Sequence, residues 1–163
     1  MPVAGIWVRH TRASMGGADV TDASARWQTA ATPALYLADR EQTAWAEFYR
    51  AAAEAGVSPA DPMPRLLYRL EVKLENVADL RTEKARRALG LPRLRPTRTQ
   101  WPAFQEAGER LHRAGAQGIL YASAARVRSL SLCVFEAGLN GLSLVGTPLT
   151  VIAAPAPPRG MRT

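Results

Sequence analysis

What the chain has little of narrows its chemistry first. Cys133 is the one cysteine in 163 residues, so no internal disulfide framework can form. It sits in the apolar run 130–135 and reads as a buried core thiol, because an unpaired cysteine usually behaves as a small hydrophobe. There are two histidines, His10 and His112, far apart in sequence. With a single cysteine they make no Cys/His zinc site, and no metal is expected. No apolar stretch approaches the ~20 residues of a membrane span. Met1-Pro2-Val3-Ala4-Gly5 lacks the basic segment and apolar run of a signal peptide. A cytoplasmic protein, away from membranes, is the expectation. Lysine is scarce as well: apart from Lys73 and Lys84 every basic residue is arginine, and the net charge is +7. Arginine grips phosphate and carboxylate through a planar fork. That surface suits a phosphorylated small molecule, a nucleic acid or an acidic protein partner. The basic residues are dispersed, and apolar residues and prolines interrupt their densest run, 81–98. Neither an RNP-type aromatic pattern nor a helix-turn-helix signature is present, so direct nucleic-acid binding by this chain alone is not expected.

What is present describes one domain of ordinary globular make-up, spanning 1–153. A Pro- and Ala-rich tail, 154–163, is expected to fray. The segments 5–10, 34–38, 65–74, 118–122, 130–135 and 148–153 read as strands. Segment 65–74 shows the clearest alternation, with Leu66, Tyr68, Leu70, Val72 and Leu74 on one face. Segment 11–25 and the Pro-rich 58–64 read as loops. A helix is expected to start at an Asp39 cap, with Gln42 completing a capping box, and to stop at Gly56. Thr82 caps a short helix to Leu89, and Trp101–Ala114 forms a third, with Pro102 in its first turn. The strict strand–helix alternation of a doubly wound sheet is absent. The order favours an α+β fold with mixed or antiparallel sheets and flanking helices.

Three segments resemble the RES domain, a family named for its Arg, Glu and Ser. They are Trp7-Val8-Arg9; Arg26-Trp27 leading through Tyr36-Leu37-Ala38 to Ala44-Trp45-Ala46-Glu47; and Gly118-Ile119-Leu120-Tyr121-Ala122-Ser123. Their order and spacing agree with the family from about residue 5 to 137. The sequence departs from the usual family pattern at Ser24-Ala25, Gln28, Ala31 and Ser131. The resemblance implies an ADP-ribosyltransferase-like fold, NAD as substrate and a toxin paired with a Xre-type antitoxin. A homodimer is left open.

On this reading Arg9, Arg26, Tyr36, Glu47 and Ser123 hold NAD, with Arg9, Glu47 and Ser123 taking part in the chemistry. Cleaving the nicotinamide–ribose bond passes through an oxocarbenium-like state. It calls for arginines on the phosphates, an aromatic platform and a carboxylate that stabilises the cation. Ser123 would bond nicotinamide or ribose, or orient Glu47; nothing in sequence places a base beside it. His10 follows Arg9 into the same region, and His112 reads as structural. Three alternatives stand beside hydrolysis or phosphorolysis of NAD. One is ADP-ribosyl transfer to a cellular protein. The others are a non-catalytic basic module that binds nucleic acid or a partner, and an inactive homologue.

Overall fold

The computed structural model describes every residue except three. Asp22, in the expected loop 11–25, Pro96, in the basic run 81–98, and Thr163, in the expected tail, lie outside the described residues. The strands are β1 (Val3–Arg12), β2 (Ala34–Ala38), β3 (Arg65–Leu74), β4 (Val77–Leu80), β5 (Gly118–Ala122), β6 (Leu130–Phe135), β7 (Leu142–Leu144) and β8 (Leu149–Val151). The helices are α1 (Glu41–Ala55), α2 (Glu83–Ala88) and α3 (Trp101–Arg113). One sheet runs β4-β5-β6-β2-β1-β3-β7, and β8 also pairs with β3. Only the β4–β5 pairing is parallel among these. The mixed α+β architecture expected from the element order is the one observed.

Strand alternation puts successive side chains on opposite faces, and the two faces here build separate cores. Leu35, Leu37, Leu120, Leu132 and Val134 join Trp7, Leu70, Val72 and Leu74 in one core, which spans the strands from β5 to β3. On the other face Ile119, Tyr121, Cys133 and Phe135 pack with Trp27 and with Phe104 and Ala107 of α3. Cys133 is fully buried there, which pushes its thiol up to about 12. A side chain at Gly108 would drive its Cβ to 2.0 Å from the Trp27 carbonyl oxygen, so glycine lets α3 lie directly on that backbone.

β1 and β2 are joined at a single pair, Val8 opposite Ala38, and part beyond it. β2 is otherwise held by β6 along its whole length. α1 covers this junction through Ala44, against Val8, Ala38 and Leu67.

Several sequence expectations need correction. Asp39 does not cap α1: the cap position is Arg40, and no side chain bonds the free N–H groups there. Asp39 instead accepts from the Thr43 hydroxyl at 2.7 Å and from Arg40. The Asp39 N–H donates to the Leu130 carbonyl at 3.1 Å, so Gln42 closes no capping box on it. The first strand runs on to Arg12, because all ten of its residues pair with β3. β4 and β7 lie outside the segments expected as strands. Gly56 does stop α1, in the left-handed conformation at φ 65°, and Thr82 does cap α2. The terminal segment is hydrogen-bonded to Tyr49 and to the 125–127 turn. No helix among the described residues is long and apolar enough to cross a membrane.

Candidate functional site

Where β1 and β2 part, a cleft of about 350 Å3 opens between α1 and α3. Val8, Arg9 and His10 of β1 and Tyr36, Leu37 and Ala38 of β2 form its floor. α1 contributes Ala44, Glu47, Phe48 and Ala51, spaced as one helix face. Among the described lining residues four are arginines, Arg9, Arg26, Arg50 and Arg65, and one is a carboxylate, Glu47. The cleft is therefore strongly cationic around a single anion.

The structure brings four of the five expected residues to this cleft and sets Ser123 behind it. Ser123 is 1 % exposed and does not line the cleft among the described residues. Its hydroxyl donates to Glu47 Oε1 at 2.7 Å and accepts the N–H groups of Ala125 and Arg126, both at 3.1 Å. Of the roles open to it, orienting Glu47 is the one this geometry serves. Arg50, one helix turn beyond Glu47, lies 3.4 Å from its other oxygen and also pairs with Glu54. Glu47 thus keeps one face toward the cleft while two groups fix its rotamer.

Arg9 donates from Nη1 to the Gly17 and Asp19 carbonyls at 3.0 and 2.6 Å, which fastens the 13–20 loop over the strand. Burial pushes its guanidinium down to about 10, so it stays charged at neutral pH. Arg26 is 5 % exposed, lies over the Phe104 ring and donates from Nη2 to the Arg95 carbonyl at 2.8 Å. Burial lowers its pKa too. Its Nη1 and the indole Nε1 of Trp101 are both buried without a partner among the described residues. Buried donors are nearly always satisfied, and both residues line the cleft. Tyr36 accepts the Trp27 N–H at its hydroxyl at 3.1 Å, and burial holds its pKa well above the usual phenol value. It remains a neutral donor.

His10 lines the cleft, but both of its ring nitrogens are engaged by the protein. Arg65 Nε donates to Nδ1 at 2.7 Å, and Nε2 faces the Ala44 carbonyl at 3.1 Å. The ring stacks on Trp45 at 4.3 Å. His112, on α3, packs its ring edge-on to Phe135 at 5.2 Å. Sequence reasoning passes over Arg50 and Trp101. Arg50 had a signal, since i and i+3 on a helix are neighbours and Glu47 was already singled out. Trp101 had none: it reads only as the first residue of a helix.

The RES domain family matches residues 3–150. The crystal structure of the M. tuberculosis MbcT–MbcA toxin–antitoxin complex contains a similar chain, with a TM-score of 0.79 and 24 % identity over 92 % of this chain and 85 % of that one. At that identity the likeness speaks for the fold. A comparison with curated proteins returns no match.

Proposed function

The chain belongs to the RES domain family, and from that premise we propose that it is the toxin of a toxin–antitoxin pair that consumes NAD by breaking the nicotinamide–ribose bond. The observation that carries this reading is the Glu47 carboxylate, oriented by Ser123 at 2.7 Å, alone among four arginines in a cleft of about 350 Å3. Arginines suit the diphosphate, whose charge they meet with paired N–H groups. Tyr36 lines the cleft and offers its ring to the ribose or nicotinamide, while its hydroxyl stays with Trp27 and Cys133 inside the protein. As the C1′–N bond breaks, its electron pair leaves with nicotinamide, which departs neutral and needs no acid. Positive charge then gathers at that anomeric carbon, C1″ in the ADP-ribose product, and at the ring oxygen, and a fixed carboxylate stabilises it electrostatically. Water or phosphate attacks C1′; water loses a proton as ADP-ribose forms.

A purified sample free of partner should release nicotinamide from NAD. The accompanying product separates the acceptors: ADP-ribose from water, ADP-ribose 1″-phosphate from phosphate, labelled protein from transfer to a target. Intact NAD with all three acceptors supplied would sink the reading. The matched structure is of a toxin with its antitoxin, and the same pairing is proposed here, with a Xre-type antitoxin as the family resemblance implies. Co-expression with the neighbouring reading frame should abolish growth arrest caused by this chain alone.

A further inference from the structure

The family match ends at residue 150, and the chain that follows returns to α1 and to the 125–127 turn. On α1, Tyr49 stands two residues after Glu47 and donates its hydroxyl to the Pro155 carbonyl. Farther on, the tail pairs with the turn that follows Ser123. Val127 donates its N–H to the Gly160 carbonyl at 2.9 Å, and Arg162 donates its N–H to the Ala125 carbonyl at 2.8 Å. These two bonds flank the antiparallel bridge between Arg126 and Met161. Arg126 Nε adds a bond to the Arg159 carbonyl at 3.1 Å.

The same turn supplies the N–H groups of Ala125 and Arg126 that the Ser123 hydroxyl accepts. A hydroxyl has two acceptor sites and one proton. With both acceptor sites filled by the turn, the Ser123 proton is left to point at Glu47 Oε1. The tail therefore touches both carriers of the pair, the helix holding Glu47 and the turn holding Ser123.

We propose that residues 155–162 form a positioning strap that fixes the 125–127 turn, and through it the Ser123–Glu47 hydrogen bond. Nothing in the strap lines the cleft among the described residues. Its effect rests on the functional reading above, and it acts on the rate of the chemical step rather than on substrate binding. Gly160 makes the return possible: it sits at φ 79°, and a Cβ there would meet Val127 Cγ2 at 3.1 Å.

Arg162→Pro deletes the N–H that bonds Ala125, while Arg162→Ala keeps it. In the full-length chain, amide hydrogen exchange at Ala125 and Arg126 should quicken about 10-fold or more in R162P and stay at the wild-type rate in R162A. For nicotinamide release, R162P should lose about 10-fold or more in kcat with KM within about twofold, and R162A should match wild type. Gly160→Ala, which strains the return turn, should give the R162P pattern in weaker form and serves if R162P does not fold. Wild-type exchange at both amides in R162P and G160A overturns the strap. So does faster exchange with an unchanged kcat. If the wild-type chain leaves NAD intact, the functional reading fails, and the exchange arm still decides whether the tail fixes the turn.

Discussion

Arg65 Nε donates to His10 Nδ1 across 2.7 Å, and that one contact settles which nitrogen of His10 carries its proton. A guanidinium only donates, so Nδ1 accepts, and Nε2–H donates to the Ala44 carbonyl. The ring is neutral: burial, reinforced by the Arg65 charge, pushes it down to about 4.

The first prediction concerns acid. An unfolded histidine binds its proton near pH 6.5, so between about 6.5 and 4 the unfolded chain holds a proton the folded chain refuses. Stability from this group is present above pH 6.5 and is lost as pH falls through that window, by at most about 3 kcal/mol. Thermal melts at stepped pH should show the loss, and His10→Gln should flatten it. An equally steep fall in the variant would assign the acid sensitivity elsewhere.

Glu47 and Ser123 should separate by size of effect. Glu47→Gln keeps the shape and removes the charge, so nicotinamide release should fall about 100-fold or more with KM little changed. Ser123→Ala removes one bond to that charge and should cost about tenfold. A serine variant as damaged as the glutamine variant would mean that Ser123 does more than orient Glu47.

Trp101 offers a buried N–H with no acceptor among the described residues, in the same cleft as the orphan Nη1 of Arg26. Both groups donate only, which suits phosphoryl oxygens. Trp101→Phe keeps the ring and should weaken ADP-ribose binding about tenfold by calorimetry, leaving nicotinamide binding unchanged. The reverse pattern would place nicotinamide at that end.

Gly108→Ala should destabilise the fold far more than a helix-propensity scale suggests. Alanine is normally the better helix former, yet here its methyl would collide with the Trp27 carbonyl. A loss of about 1–3 kcal/mol or more is expected from denaturant unfolding. A stabilised variant would mean that α3 can shift off that backbone.

Periodicity carried most of the fold. Leu70, Val72 and Leu74 alternate strongly enough to reveal β3, and Gly56 and Thr82 end and begin helices by local chemistry. β4 and β7 were invisible because four and three residues are too few for a period to show. Asp39 looked like a cap, and only the Thr43 hydroxyl, which claims its oxygen, shows otherwise. For the candidate site, the resemblance to the RES domain marked Arg9, Arg26, Tyr36, Glu47 and Ser123. The bond between Glu47 and Ser123 joins residues 76 apart in sequence, a relation no local window contains. The bonds of the tail were not legible because Pro and Ala say nothing of carbonyls that a distant turn uses.

The pairing of β2 with β6 has a consequence in time. Residues 34–38 depend on residues 131–135 for their neighbour, so a ribosome must deliver most of the chain before the floor of the cleft has its second support. Arg9, Arg26, Tyr36 and Glu47 emerge early, Ser123 late. Such distant pairings form slowly, and a nascent or truncated chain holds the arginines without the arrangement that would use them.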